Sequence, residues 1–471
     1  MLPKLGFHGA AGAVTGSHHL LDTGRTLLGI DAGLFQGSRE LDRLNWRVFG
    51  HDIRLMDALV LTHAHIDHCG RVPVLSREGY RGPVFSTSAT LELAGLMLRD
   101  SARIMEEESV HDSHHPEQRE EGGPQGRDPP FQSEPLFTER DVENALGLFR
   151  PIDYGRQFSP GVDVNVRFRD AGHILGSAML ELDVSGRTLI FSGDLGRPGS
   201  PLVRDPERPA AADWLVLEST YGDREHADKA DRGQRLFSII RETVERGGNV
   251  VIPAFTVGRT QDILYELNPF AESGRLPRIA TFVDSPMAIS AGEIYRRHPE
   301  CFDEPTRAFL ARGDDPLSFP GLVLARTRDD SKRINSLKEP HIVIAGNGMC
   351  TGGRVRHHLA QNLGREESTI LFVGYQAEGT LGRQLRDGSR SVRMFGKPFD
   401  VRAHIEVMDA YSAHADRSEI LDWLGGFRKF PQKVFLVHGE PQASASLAEA
   451  IEQRFGVRAA VPRPGETYEL D

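Results

Sequence analysis

No run of 18 apolar residues occurs anywhere in the chain, which argues against a membrane-spanning helix. Its first residues, MLPKLGFHGAAGAVTG, lack the charged head and apolar core of a secretory leader. Cysteine is scarce: Cys69, Cys301 and Cys350 are scattered and odd in number. That excludes a disulfide framework or a CxxC metal site and fits a reducing cytoplasm. Positive charge is also in deficit, with 56 Lys and Arg against 67 Asp and Glu, a net of -11. A globally basic nucleic-acid binder is therefore disfavoured, although a local basic groove is not. No tandem repeat is visible. What remains is 39% hydrophobic residues and a mean hydropathy of -0.36 over 471 residues, the profile of a soluble globular chain of two or three domains.

Along the chain, short β-like runs alternate with glycine turns at first, and HHLLDTGRTLLGIDAG reads as a hairpin. Residues 106–135, rich in Glu, Pro, Gly and Gln, read as an exposed insertion. Its His111, His114 and His115 have no apolar scaffold beside them, so they read as solvated rather than metal-binding. From about residue 225 the texture changes to helix–strand alternation, as in RGQRLFSIIRETVERGG followed by NVVIPAF. That pattern predicts a parallel sheet.

The densest chemistry lies in ALVLTHAHIDHCG, where His63, His65, Asp67 and His68 follow an apolar strand. Histidines two apart on an extended loop can aim both imidazoles at one point, while Asp67 and His68 reach a neighbouring one. Imidazole and carboxylate are the ligands of catalytic zinc. Burying this cluster without a metal would leave several polar groups unpaired. Cys69 reads as a packed thiol. Two further strand-like runs end at His173 and Asp194, each followed by glycine within three residues. Alone, these would be a core histidine and a turn aspartate; together they stand where side chains converge on one rim of a sheet.

With Asp31 in IDAG, this series resembles the metallo-β-lactamase superfamily. Three later stretches, WLVLESTYGDR with Glu218, MDAYSAHADRSEI with His414 and VFLVHGE with His438, are similar to motifs of its β-CASP nucleases, a branch that includes the pre-mRNA 3′-end endonuclease and RNase J. The resemblance implies an α/β protein: an αββα metallo-β-lactamase sandwich with an inserted α/β/α (β-CASP) domain. Residues 1–222 and 395–471 would form the sandwich and 223–394 the insertion. It implies two Zn2+, with Mn2+ as a substitute, one held by His63, His65 and His173 and the other by Asp67 and His68. Asp194 would bridge them, His438 would complete the second, and Asp31 would orient a ligand. The implied activity is hydrolysis of single-stranded RNA by a two-metal hydroxide mechanism in a cleft between the domains. Asp67 would serve that chemistry directly, and His414, kept protonated by Glu218, would donate the leaving-group proton. Histidine at position 438 favours RNA, because DNA-acting members typically have valine there.

For substrate grip, the turn AGNGMCTGGRVRHHL offers Gly346, Gly348, Thr351, Gly352, Gly353 and Arg354, a backbone suited to phosphate. Ser285, in FVDSPMA, and Arg383 join this set. Arg383 opens a stretch, 381–402, with six Arg or Lys against two Asp, as a backbone-tracking groove would need. The alternatives are a DNA-acting or small-molecule hydrolase of the same fold, or a catalytically silent RNA-processing scaffold; the intact ligand series weighs against the scaffold. The chain starts close to its first hairpin and ends soon after His438, so a compact bacterial form is expected. No membrane partner is expected. Whether it cuts internally or from a 5′ end, and whether it forms a homodimer, stays open.

Overall fold

The computed structural model describes residues 2–114, 134–226, 231–374, 376–377 and 379–471. They form two compact units, one of 1–198, 205–225 and 414–471, the other of 199–204 and 226–413. Among the described residues, no helix is long and apolar enough to cross a membrane.

The first unit contains two seven-stranded sheets. One runs, in spatial order, Thr467–Glu469, Lys4–Gly9, His18–Asp22, Leu27–Ile30, Ala58–Val60, Val84–Ser86 and Phe149–Pro151. The expected hairpin is present, with His19 opposite Ile30 and Asp22 opposite Leu27. The other runs Ala459–Ala460, Lys433–Val437, Trp214–Glu218, Arg187–Phe191, Ala178–Val184, Val164–Asp170 and Gln157–Phe158. Strict alternation in the strand Val164–Asp170 buries Val164, Val166 and Phe168, the period-two signature of a strand with one core face. These meet Leu5, Phe7, Leu28 and Val60 of the first sheet in one shared core. Behind the second sheet, Ile420, Trp423, Leu447 and Ile451 of the helices Arg417–Leu424 and Pro441–Phe455 pack on Leu215 and Leu436. Helices also follow the first sheet, so the layers are those of an αββα sandwich.

The stretch beginning at residue 106, expected to be an exposed insertion, is entered by a helix, Ser88–His114. Leu93, Ala94, Leu98 and Ala102 are fully buried, and the spacing of 94, 98 and 102 is one helical face. The acidic continuation MEEE consists of good helix formers, a signal that its polarity conceals. Residues 115–133, His115 among them, lie outside the described residues, as do the side chains of His111 and His114.

The second unit holds a six-stranded, wholly parallel sheet ordered Leu322–Leu324, Thr281–Asp284, Ile342–Gly346, Val250–Ala254, Thr369–Phe372 and His404–Val407. The βαβ texture predicted this sheet. The C-terminal boundary differs from the expected residue 394, because His404–Val407 pairs in register with Thr369–Phe372, Ile370 facing Ile405. Residues 404–407 therefore belong to the inserted sheet, and the chain returns to the sandwich only at residue 414.

Candidate metal centre

His173, Asp194 and His438 each follow the end of a strand in the sandwich unit. The Ala58–Val60 strand ends shortly before His63, and a single helical turn, Ile66–Cys69, presents Asp67 and His68. That turn is held by backbone bonds from Ser17 N–H to the Asp67 carbonyl at 2.8 Å and from Ala32 N–H to the His68 carbonyl at 2.7 Å. Gly33 is required there: a Cβ at this position would stand 1.6 Å from the Asp67 carbonyl oxygen. His438 follows the Lys433–Val437 strand with φ 53°, its N–H bonded to the Ala10 carbonyl at 2.7 Å. Left-handed backbone in a non-glycine residue is sparse and collects at functional sites.

The side chains form two adjoining groups. In the first, His63 Nε2 and His173 Nε2 each stand 3.1 Å from His65 Nδ1, and 3.3 and 3.4 Å from one Asp194 oxygen, Oδ2. In the second, His438 Nε2 lies 3.3 Å from Asp67 Oδ2, and the other Asp194 oxygen, Oδ1, lies 3.2 Å from His68 Nε2 and 3.5 Å from His438 Nε2. His63, His65, His173 and Asp194 satisfy the mutual spacing of a metal shell, and so do Asp67, His68 and His438. Asp194 thus turns one oxygen to each.

Proton placement follows from what the far nitrogens touch. His68 Nδ1 lies 2.8 Å from the Asp31 carboxylate, which only accepts, so this nitrogen carries the proton. Thr62 Oγ1 donates to Asp31 Oδ2 at 2.9 Å and is left to accept from His63 Nδ1 at 3.1 Å. Thr220 Oγ1 donates to the His438 carbonyl and accepts from His438 Nδ1, both at 3.0 Å. Each of these rings, when neutral, therefore turns a lone pair inward. His68 Nε2 and Asp194 Oδ1, 3.2 Å apart, lack hydrogen-bond geometry, and both atoms are buried without a partner. Converging lone pairs and orphaned acceptors repel one another unless a cation lies between them. The N and O donor set suits zinc.

Electrostatics agree with a cation-ready site. Burial lowers His63, with His68 adding to it, and lowers His65 to about 3, so these imidazoles are neutral. Burial opposes ionisation of Asp194, but the surrounding histidines outweigh it and hold the carboxyl well below the usual range. Burial lowers His68, but Asp194 and Asp31 outweigh it and raise it well above its usual value, so in the metal-free site Nε2 carries a proton that an ion would displace. Burial drives the Cys69 thiol upward, and its Sγ bonds the Ala64 carbonyl at 3.2 Å, which makes it a packed thiol.

Beside the two groups, His414 Nδ1 meets both oxygens of Glu218 at 3.1 Å, and its Nε2 lies 4.0 Å from Asp194. Glu218 is fully buried and also accepts the Leu195 N–H at 2.6 Å. Burial works against protonation of His414, but Glu218 and Asp194 together raise it to about 9. Asp194, His414 and His438 also lie close enough to share an ion. Thr62 and Thr220 were not singled out in the sequence; the only signal is a hydroxyl residue directly before His63 and two positions after Glu218.

The expected substrate residues lie in the second unit and are less open than expected. Arg354 gives Nη1 to the buried Asp284 at 2.7 Å and to the Ala325 carbonyl, and Nη2 to the Arg326 carbonyl. It braces strand ends. Asp284 also accepts from Ser331 at 2.5 Å and His358 at 2.6 Å; these donors outweigh burial and hold it below its usual value. Ser285 caps the helix Pro286–Arg297, accepting the Ala288 N–H at 3.2 Å, and a Cβ on Gly346 would meet its hydroxyl at 2.8 Å. Thr351 bonds Asn347 beside Gly352, Gly348 packs on Phe255, and Gly353 takes the left-handed φ of 72° that favours glycine. Arg383 pairs at 2.8 Å with Asp387, which the count already includes, and Arg386 pairs at 3.3 Å with Asp409 beyond the stretch, so one charge of the local surplus is offset. Replacing Asp284 by Ala strands Arg354 and His358 together. Its expected cost is about 3 kcal/mol, read as a lowered denaturant midpoint, and an unchanged midpoint would remove Asp284 as the brace.

Residues 260–385 match the Beta-Casp domain, and residues 398–462 match the Zn-dependent metallo-hydrolase RNA specificity domain. Ribonuclease TTHA0252 of Thermus thermophilus is 38% identical over 458 residues, 97% of this chain and 98% of that protein. Transcription termination factor FttA of Pyrococcus horikoshii is 33% identical over 440 residues, 88% of this chain but 62% of that longer protein. A solved structure of a protein of unknown function from Enterococcus faecalis V583 matches at TM-score 0.56 and 12% identity over 100% of both chains, a likeness of fold alone. On the relative that matches it nearly end to end, the chain belongs to the β-CASP family of metal-dependent hydrolases with the metallo-β-lactamase fold.

Proposed function

We propose that the protein is a two-zinc ribonuclease that hydrolyses phosphodiester bonds of single-stranded RNA. The observation that carries this reading is the division of Asp194, one oxygen in each group of inward-facing nitrogens. His63, His65 and His173 would hold one ion, Asp67, His68 and His438 the other, with Asp194 between them. Two ions so held would supply positive charge at the phosphodiester and an activated water at neutral pH. The chain's own part is to fix that geometry and manage protons. Asp31 and Thr62 hold His63 and His68 in the tautomers that face inward, and Thr220 does so for His438. His414, kept charged by Glu218, is placed to protonate the departing ribose oxygen. The Thermus relative's name as a ribonuclease and the RNA specificity domain support RNA over a small-molecule substrate. Three buried free thiols support a reducing, cytoplasmic setting.

The test is cleavage of end-labelled single-stranded RNA and matching DNA by protein assayed for metal. The expected result is about two zinc ions per chain, RNA cut and DNA spared. Protein that carries both ions yet leaves every RNA intact would refute the assignment. Cleavage of DNA alone would favour the DNA-acting alternative.

A further inference from the structure

We infer that His18 is a positioning residue for the metal centre, acting through the Asp31 turn. This rests on the two-metal reading above. Asp31 ends the Leu27–Ile30 strand with φ 57°, a left-handed conformation that a non-glycine residue holds only when its surroundings enforce it. In that conformation its carboxylate accepts from Thr62 N–H at 2.8 Å, Thr62 Oγ1 at 2.9 Å and His68 Nδ1 at 2.8 Å. Whatever holds the Asp31 backbone thereby sets the direction of His68. His18 does so from the opposite side, with Nδ1 2.6 Å from the Asp31 carbonyl oxygen. A carbonyl only accepts, so Nδ1 carries the proton.

The ring is itself held in place. It is 3% exposed, stacks on His51 at 5.1 Å and 23°, and meets Phe49 edge-on at 5.5 Å. Burial, His51 and Arg71 keep it neutral against the pull of the Asp31 bond, and that bond selects the Nδ1–H tautomer. The preceding residue joins the same lacing: Ser17 N–H bonds the Asp67 carbonyl and Gly33 N–H bonds the Ser17 carbonyl, each at 2.8 Å. The end of one short strand thus braces Asp31 and the turn carrying Asp67 and His68. A histidine that merely filled the core would need no such short bond to a strained turn.

The experiment compares wild type with His18→Asn, whose amide N–H can replace Nδ1–H, and with His18→Leu, which keeps bulk without a donor. Each metal-free protein is checked for a folded circular-dichroism spectrum. Each is then titrated with Zn2+ against a chromophoric chelator, and with Co2+ for its visible spectrum. His18→Leu should weaken the ion held by Asp67, His68 and His438 by about 10–100-fold, the usual effect of losing a group that orients a ligand, and shift the Co2+ bands. His18→Asn should stay near wild type in both. Wild-type affinity in His18→Leu, or equal loss in both variants, would overturn the inference, since ring volume rather than the N–H would then matter. If His18→Leu fails to fold, the Co2+ spectrum of His18→Asn decides: unchanged bands support the donor role and shifted bands overturn it. Wild-type protein that takes up no metal overturns the two-metal reading itself and the inference with it.

Discussion

Asp194→Ala is expected to empty both halves of the centre at once. Its two oxygens serve separate groups, Oδ2 beside His63 and His173 and Oδ1 beside His68 and His438. Each other candidate ligand belongs to only one of these two groups. Metal content by elemental analysis should therefore fall from about two ions to fewer than one per chain, whereas His65→Ala should spare the Asp67, His68 and His438 group. On the two-metal reading the ions' electrostatic contribution would be worth several kcal/mol, and each 1.36 kcal/mol is tenfold in rate. RNA cleavage should drop by roughly a thousandfold or more on that arithmetic. An Asp194→Ala protein that keeps two ions would show that the carboxylate does not join the groups.

The second large effect is separable from metal. His414→Ala and Glu218→Gln should each slow turnover by about 10²–10⁴-fold, the usual worth of a positioned general acid, while metal content stays near wild type. Glu218→Gln keeps the shape but removes the charge facing His414 Nδ1, where both carboxylate oxygens stand at 3.1 Å. Because the two residues act as one unit, the double variant should be little worse than either single one. The deficit should shrink on a phosphodiester with a nitrophenolate leaving group, which departs without a proton. If His414→Ala instead loses metal, His414 is a ligand beside Asp194 and His438, a geometry their spacing also permits.

The candidate ligands that the structure brings together were legible in the sequence because their densest part is local. His63, His65, Asp67 and His68 fall within six positions, and His173, Asp194 and His438 stand where apolar strand patterns stop. The parallel sheet of the second unit was legible from helix–strand alternation. The start of the polar stretch 106–135 continues the helix Ser88–His114, which its polar composition concealed, since the four buried residues of that helix lie earlier, between 93 and 102. The second unit's C-terminal limit was missed because HIEV, a half-exposed edge strand, carries no label saying which sheet it joins.

Residue types and strand-end placement, then, were determined by the sequence alone, since ligand chemistry and strand periodicity are properties of short stretches. Which nitrogen of each histidine faces inward was decided only by tertiary structure, because a tautomer is set by what the other ring nitrogen touches: Asp31 for His68, Thr62 for His63, Thr220 for His438. The same holds for the division of Asp194, for Arg354 spent on Asp284, and for the meeting of His438 with Asp67 from 371 positions away. Such contacts join segments that no local pattern relates, and burial then makes each one costly to leave unsatisfied.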